Sequence, residues 1–402
     1  MTATSLAVLL REKRLLVLVG EGGVGKTSAA AALAYARAAQ GEDVAVLTID
    51  PAPRLGDALG IAAIDEEPRN VDLGAFAMPE ESATAGGRGP GRLTAMRLDS
   101  KRTFDRMVER HSPSPQAAAA LLTHPIYRAV SGQLGGTENY MAFQRLHELV
   151  GAGGHDCLVV DTPPAVNASQ LLAAPERLSG LVATGALAVL RDPATILGRA
   201  GTAASRLGAA LARTTFSVLL AALERVTGAS LQRDVAGFAA LFGDIVGGLE
   251  DRSREIDALL RSDRTAFVLV TRPRRGDIEN ALAFRVELAE LGIPVAAVLV
   301  NRVTPARSPR PAGEEARAEL PEYLWRAIRR MEEDMEALRS AEGEALALLA
   351  AGLGEDGAPP VFTLAARDSD VASLADIADL ARDLDRVRRS TLDGDAARRR
   401  RS

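Results

Sequence analysis

The chain has almost no cysteine and few aromatic side chains. Cys157 is the single cysteine among 402 residues, and aromatic residues make up 3% of the sequence. One thiol excludes a disulfide within the chain and any metal site built from several cysteines of one chain. Cys157 begins the apolar run Cys157–Val160, which favours a packed side chain over a reactive one.

An excess of positive charge is also missing. The 48 basic residues are outnumbered by 53 acidic ones, which gives a net charge of −5. This balance argues against a general nucleic-acid-binding protein. The last residues, 391–402, end in an arginine run and are predicted to be a disordered, solvated tail.

No apolar run is long enough to cross a bilayer. The longest strongly apolar, uncharged run is Leu178–Leu190, which is shorter than the roughly 18 residues that a membrane span needs. We expect no signal peptide at the start of the sequence, since charged residues follow directly at Arg11–Arg14. We therefore expect a cytoplasmic protein without a transmembrane segment.

A glycine-rich loop is the most informative feature that is present. Residues Gly20–Thr27 read Gly-Glu-Gly-Gly-Val-Gly-Lys-Thr and match the pattern G-x-x-x-x-G-K-[ST]. In this pattern backbone N–H groups surround phosphates, the lysine reaches the terminal phosphates and the hydroxyl binds Mg²⁺. Closely related loops usually carry lysine where this chain has Glu21. The loop therefore predicts a nucleotide site of an unusual kind.

A dinucleotide-binding turn is the alternative interpretation of the same glycines. Gly20-x-Gly22-x-x-Gly25 fits that fingerprint, and Asp50 stands where an acid would bind a ribose. However, a phosphate–magnesium site requires Lys26-Thr27, whereas a dinucleotide turn does not. Asp161 also ends an apolar run, as a magnesium-binding acid should. A phosphate-binding P-loop is therefore favoured, and a nicotinamide-dependent oxidoreductase is the alternative.

Repeated apolar runs that end in polar residues predict a mostly parallel sheet flanked by helices. The alanine-rich segment Thr27–Ala39 predicts a helix between the first two strands. Stretches at about 98–150 and 175–260 predict helices without strands, so we expect an inserted α-helical subdomain within one domain spanning 1–402. The predicted strands are Leu15–Val19, Val44–Ile49, Cys157–Val160, Phe267–Val270, Ala296–Val300 and Val361–Leu364.

Three sequence blocks together resemble a known family. The loop Gly20–Thr27, the segment Thr48–Leu59 and the segment Asp161–Leu172 are similar, in order and spacing, to the arsenite-pump and tail-anchored-protein-targeting ATPases. Within that family the chain most resembles bacterial ArsA-related P-loop ATPases, and the similarity extends from Leu15 to about Val303. The resemblance implies an α/β P-loop NTPase of the deviant Walker A type, with ATP and Mg²⁺ as cofactors.

The resemblance also implies a role for each matching residue. Asp57 would polarise the attacking water, and Asn301 would contact the adenine edge. The catalytic residues would be Lys26, Asp57 and Asp161; the cofactor-binding residues would be Gly22, Gly23, Val24, Gly25, Lys26, Thr27, Ser28 and Asn301; and Mg²⁺ would be bound, partly through water, by Thr27, Asp50 and Asp161.

Three departures from the family pattern affect these expectations. The metal-binding cysteines of the family are absent, so the chain lacks the ligands that arsenite transport and a zinc-bridged dimer require. Pro53 stands where many members have histidine, and Glu21 replaces the signature lysine that crosses the dimer interface. At roughly 5 Å and an effective dielectric near 20, one charge pair is worth about 3 kcal/mol, and reversing its sign changes the energy by about twice that.

The sequence therefore predicts a dimeric, ATP-hydrolysing switch whose nucleotide state controls a helical subdomain that binds a client or partner. The chain would pair with itself or with a paralogous ATPase that supplies the missing lysine. The client would be a hydrophobic helix or another protein, and the apolar segment Phe216–Leu223 is either its contact surface or a core helix. The alternative is a nucleotide-sensing pseudo-ATPase that regulates a lysine-bearing paralogue.

Overall fold

The computed structural model describes residues 5–50, 53–61, 64–73, 89–125, 127–128, 138–163, 249–305, 320–354 and 357–387. Its strands are β1 (Leu15–Val19), β2 (Val44–Thr48), β3 (Arg69–Val71), β4 (Leu93–Arg97), β5 (Cys157–Asp161), β6 (Thr265–Thr271), β7 (Val295–Val303) and β8 (Val361–Ala365). Its helices are α1 (Leu6–Leu10), α2 (Lys26–Ala39), α3 (Arg54–Leu59), α4 (Ser100–His111), α5 (Pro115–Thr123), α6 (Glu138–Ala152), α7 (Leu249–Arg261), α8 (Arg275–Glu290), α9 (Glu322–Leu353) and α10 (Leu374–Arg386).

The eight strands form one sheet in the order β3-β4-β2-β5-β1-β6-β7-β8. Neighbouring strands are parallel except for the edge pair β3 and β4, which is antiparallel. β1 lies at the centre, hydrogen-bonded to β5 on one side and to β6 on the other. The carboxyl ends of these three strands therefore meet at one edge, where open α/β sheets bind their ligands.

Helices cover both faces of the sheet and bury its central strands. In β1, Leu15, Val17 and Val19 belong to one hydrophobic core cluster, and Leu16 and Leu18 belong to a second cluster. The first cluster is completed by residues of α4–α9, and the second by residues of α1, α2, α3 and α10. A central strand buried on both faces explains why β1 is apolar throughout rather than alternating.

Alanine makes α2 suitable for its place against the sheet. Eight of its fourteen residues are alanine, which is the best helix former and loses no side-chain entropy on folding. The small side chains leave room for the neighbouring strand and for α10, and Tyr35 is fully buried among them. The helix ends at Gln40, before Gly41 with φ of 95°. The packing of α2 therefore fixes the start of the helix, Lys26, at the edge of the sheet.

The predicted fold class, α/β with a mostly parallel sheet between helices, is confirmed. All six predicted strands are present, and β3 and β4 were missed by the sequence analysis. β3 has only three residues, Arg-Asn-Val, and it is held by antiparallel pairing at the sheet edge rather than by an apolar pattern. The helix α9, with 32 residues, was also not predicted.

The helical stretch predicted at about 98–150 contains α4, α5 and α6, and their buried residues share the core cluster of one sheet face. The stretch predicted at about 175–260 contributes α7 near its end, and its other residues up to 248 lie outside the described ranges, as does the tail 391–402. The inserted subdomain and the disordered tail therefore stay predictions. Among the helices that the described ranges contain, none is both long and apolar enough to cross a membrane.

The single cysteine gives a direct test of this packing. Cys157 is fully buried at the start of β5, and burial raises the pKa of its thiol to about 12. Since the thiolate is the reactive form, we expect native protein at pH 8 to resist Ellman's reagent, and labelling to follow the unfolding curve in urea. Cys157→Ser is the control for background reaction. Complete labelling of the native protein within minutes would contradict this packing.

Candidate nucleotide site

The loop between β1 and α2 depends on glycine at two close contacts. Gly20, Gly23 and Gly25 have φ of 141°, 74° and 96°, in the region that side chains disfavour. A Cβ atom on Gly20 would lie 2.2 Å from the carbonyl oxygen of Val270 in β6. A Cβ atom on Gly25 would lie 2.2 Å from the Asn301 side-chain nitrogen. The loop is therefore packed tightly between its own helix and the ends of β6 and β7.

The start of α2 faces this loop without a side-chain cap. Its N-cap residue is Gly25, which offers no side chain to bond the first N–H groups of the helix. Uncapped N–H groups and the positive end of the helix dipole together form an anion-binding site. The predicted phosphate-binding residues Gly22, Gly23, Val24 and Ser28 are all in this loop or in the first turn of α2.

Lys26 places a cation inside the loop. Its Nζ atom donates hydrogen bonds to the backbone carbonyls of Gly20 at 2.9 Å and Glu21 at 2.6 Å, and the residue is only 6% exposed. Burial lowers the pKa of Lys26, whereas the nearby carboxylates of Asp161 and Asp50 raise it. A buried cation held by neutral carbonyls gains most from an anion that enters the same loop.

Two hydroxyl groups converge on the carboxylate of Asp161 at the end of β5. Its Oδ2 atom accepts from Thr27 Oγ1 at 2.7 Å and from Thr48 Oγ1 at 3.1 Å. Asp161 lies beside Leu18 in the register of β5 with β1, which brings it to the phosphate loop. Burial raises the pKa of Asp161 to about 6, although the bonds from Thr27 and Thr48 lower it. Thr48 was missed by the sequence analysis, although its position at the end of a predicted strand could have indicated it.

These oxygen atoms fit a magnesium ion. The second carboxylate oxygen of Asp161, Oδ1, is buried and has no hydrogen-bond partner among the described residues. A buried acceptor without a partner destabilises the fold unless a ligand or ion binds it. Mg²⁺ prefers oxygen ligands and retains several waters. Thr27 and Asp161 would hold the ion, and Asp50 would act from the start of the loop that follows β2, where its backbone N–H donates to Thr48 Oγ1 at 3.2 Å.

Asp57, the predicted water-polarising residue, lies farther out. It is in the first turn of α3 and its side chain is exposed. Arg54, in the same turn, lies 3.7 Å from a carboxylate oxygen of Asp50, so α3 is linked to the strand end beside the loop. Within the described part of the chain no hydrogen bond or ion pair joins Asp57 to Lys26 or Asp161, so its catalytic role stays a prediction.

Asn301 lies against the phosphate loop itself. Its Nδ2 atom donates to the backbone carbonyl of Val24 at 2.9 Å, and its Oδ1 atom accepts from the backbone N–H of Arg302 at 2.9 Å. The sequence analysis predicted a contact with adenine at this residue. The structure places the amide at the site, and the contact with a base stays a prediction.

Glu21 turns away from the centre of the loop. Its carboxylate accepts a hydrogen bond from the side-chain amide of Asn280 on α8. Both residues line a cavity of about 540 Å³ between the loop and α8. The unfavourable charge energy expected from the sequence applies to a carboxylate beside bound phosphates, whereas the observed contact directs Glu21 toward α8. Asn280 was not singled out from the sequence, since no motif marks it.

Comparison with known proteins shows similarity to one family in the first part of the chain. Residues 13–188 match the model of the anion-transporting ATPase family. The chain is similar to this family over that segment, which is less than half of its length. This similarity agrees with the resemblance inferred from the three sequence blocks, and the matched segment includes the loop, Asp50, Asp57 and Asp161. The sheet, the loop and the family together give an α/β P-loop NTPase fold.

Curated relatives match parts of the chain. An uncharacterised protein of Streptomyces coelicolor is 34% identical over 166 residues, which are 41% of this chain and 38% of that protein. The ATPase GET3 of Malassezia globosa is 28% identical over 159 residues, 40% of this chain and 41% of that protein. The arsenical pump-driving ATPase of Acidiphilium multivorum is 26% identical over 349 residues, 85% of this chain and 44% of that protein. The chain thus spans less than half the length of each of these relatives.

The raised pKa of Asp161 predicts a pH-dependent stability. The carboxyl group titrates near 3.8 in an unfolded chain and at about 6 in the fold. Its contribution to stability is therefore full below pH 4 and is lost as the pH rises through 6. A shift of about two units corresponds to about 3 kcal/mol. We expect the free energy of unfolding of Asp161→Asn, measured in urea titrations without Mg²⁺, to rise relative to that of wild type by about this amount between pH 4 and 7.

The control for this comparison is Asp251→Asn, since Asp251 is an exposed residue on α7. A difference in stability between Asp161→Asn and wild type that stays constant with pH would contradict the raised pKa.

Proposed function

We propose that the protein binds ATP with Mg²⁺ and hydrolyses it to ADP and phosphate, as a dimeric switch. The observation that carries this proposal is the convergence of Lys26, Thr27 and Asp161 on one loop, with a buried acceptor oxygen left free for an ion. The family match and the named ATPases among the relatives support the same activity. A dinucleotide site would use neither the lysine nor the paired hydroxyl and carboxylate.

Charge balance at the loop supports a magnesium–triphosphate ligand. Lys26 and the uncapped start of α2 provide positive charge where phosphates would lie. Asp161 and Asp50 provide negative charge on the opposite side, where a divalent cation would lie between them and the phosphates. Such a ligand carries both charges in one molecule. It would therefore satisfy the cationic and anionic halves of the site together.

Hydrolysis needs a water molecule aligned with the terminal phosphate. In our proposal Asp57 would polarise this water after α3 moves toward the loop, and Thr27 and Asp161 would hold an ion that could neutralise developing charge. The position of Asp57 in the exposed first turn of α3, a few residues after Asp50, supports a movable role. Lys26 and the loop N–H groups would stabilise the transferred group.

The proposed switch uses the segments that begin at the site. Asp50 leads into α3, and Asp161 leads through Thr162 and Pro163 toward residues 164–248. Loss of the terminal phosphate would release both segments, as in other nucleotide switches. We propose that the helical subdomain at about 98–150 and 175–260 follows these movements and binds a hydrophobic helix or another protein as its client.

Dimerisation is proposed with a second copy or with a paralogue that provides a lysine. The contact between Glu21 and Asn280 keeps a negative charge away from the loop centre, which supports nucleotide binding despite the missing signature lysine. The same contact supports the second candidate function, a nucleotide-sensing subunit that turns over little ATP and regulates a lysine-bearing partner. ATP binding without hydrolysis, even with the partner present, would favour this second function.

Substitutions at Lys26 and Asp57 separate binding from catalysis. We expect Lys26→Ala to abolish ATP binding, because it removes the buried cation at the phosphates. We expect Asp57→Asn to retain binding and to lower kcat by roughly 10²- to 10⁴-fold, the usual contribution of a general base. Calorimetry with ATP–Mg²⁺ and steady-state phosphate release are the measurements.

Matched controls are Lys101→Ala on α4 and Asp251→Asn on α7, which change exposed residues of the same types. Unchanged turnover in both Lys26→Ala and Asp57→Asn would overturn the assignment of the site.

The role of Glu21 can be tested with charge reversal. If the residue faces the partner subunit, Glu21→Lys should raise kcat of the homodimer by at least about tenfold, a change of about 1.4 kcal/mol. It should also strengthen assembly in sedimentation experiments. Glu12→Lys is the control, since Glu12 is exposed and makes the same charge change before β1. If both turnover and assembly of Glu21→Lys equal those of the control, Glu21 has no interface role.

A further inference from the structure

We infer that Asn301 is a positioning residue for the phosphate loop, and that it strengthens the binding of any polyphosphate, with or without a base. This inference rests on the proposed function, because it requires that the loop binds phosphates. It differs from the expected contact of Asn301 with adenine, which concerns the other end of a nucleotide.

The contact joins the end of β7 to the middle of the loop. Asn301 Nδ2 donates to the carbonyl oxygen of Val24 at 2.9 Å, and Val24 is buried. The next residue is Gly25, the N-cap of α2, and a Cβ atom there would lie 2.2 Å from the same nitrogen. The amide therefore touches the loop directly before the two residues, Lys26 and Thr27, that would hold the phosphates and the ion.

The backbone at the end of β7 sets the direction of the Asn301 side chain. The register of β7 with β8 shifts between Val300 and Val303, which marks an irregularity at Asn301 and Arg302. Arg302 has φ of 60° and is the one non-glycine residue with positive φ in the described ranges. Irregularities of this kind redirect a side chain at the end of a strand. Here the redirected side chain reaches the loop after β1, across the neighbouring strand β6.

The orientation of the amide is set at its other end. Asn301 Oδ1 accepts from the backbone N–H of Arg302 at 2.9 Å, so the nitrogen is the atom that faces the loop. An asparagine oxygen in that place would instead meet the Val24 carbonyl, acceptor against acceptor. Both ends of the amide are thus used by the protein, one to hold the strand end and the other to hold the loop.

Among the described residues, two contacts join the loop to the neighbouring strands β6 and β7, and only the second is made by a side chain that can be exchanged. At its start, Gly20 lies against the backbone of Val270. Near its end, Asn301 holds the Val24 carbonyl and so supports the left-handed conformation of Gly25, with φ of 96°. That conformation sets the direction of the N–H groups that begin α2. Loss of the amide would free this turn, and phosphate affinity would fall because the donors must then be ordered on binding.

The decisive probe is inorganic tripolyphosphate with Mg²⁺, which has the phosphates of ATP and no base. We expect Asn301→Ala and Asn301→Asp to weaken both ATP and tripolyphosphate by the same factor, roughly tenfold or more, measured by calorimetry on the full chain. The aspartate, which matches asparagine in shape, should have the larger effect because its carboxylate faces the Val24 carbonyl and the phosphates. Asn301→His, which retains an N–H donor, should recover part of the affinity.

Asn70→Ala and Asn70→Asp, at an exposed position on β3, are the matched controls and should bind like wild type. Thermal unfolding without ligand shows whether each variant is folded. If Asn301→Ala does not fold, the isosteric variant Asn301→Asp provides the test. Weaker ATP binding with unchanged tripolyphosphate binding would overturn the inference and assign Asn301 to the base. Unchanged affinity for both ligands would overturn it as well. If folded wild type binds neither ligand, the proposed function fails, and the inference fails with it.

Discussion

The close packing of two glycines at the carboxyl edge of the sheet is the constraint on which the rest of the site depends. Gly20 lies against the β6 backbone and Gly25 against Asn301, so the loop has one path between β1 and α2. That path places Lys26 and Thr27 beside Asp161, because β1 is flanked by β5 and β6. The charges of the site follow from this geometry, since a buried lysine and a buried carboxylate each reduce the cost of burying the other.

Much of this arrangement can be predicted from the sequence. The motif Gly20–Thr27 and the polar residues Asp161 and Asn301 at strand ends suffice to predict a phosphate site at one sheet edge, because carboxyl ends of parallel strands meet there. The fully apolar runs predict buried strands correctly for the same physical reason. β3 could not be predicted, since its three residues carry no pattern and antiparallel pairing with β4 holds it.

Side-chain directions were beyond sequence reasoning. Nothing in the motif indicates that Glu21 bonds Asn280, since the two residues are far apart in the chain and only the packing of α8 against the loop brings them together. The contact of Asn301 with Val24 likewise depends on a strand irregularity and on the left-handed Arg302. Its position in the motif alone would have placed Glu21 beside the phosphates, where a negative charge is least favourable. The fold removes this conflict by providing an amide donor on the adjacent helix.

The sheet order has a consequence for how the protein folds. Its central strand pairs residue 15 with residue 158 on one side and with residue 265 on the other. Such pairings between distant segments must close long loops before they gain stability, and they form slowly. The phosphate loop, held between those strands, therefore reaches its final shape only when segments from the beginning, middle and later part of the chain have met. Nucleotide affinity should appear late in refolding, together with the last protected amides of β1.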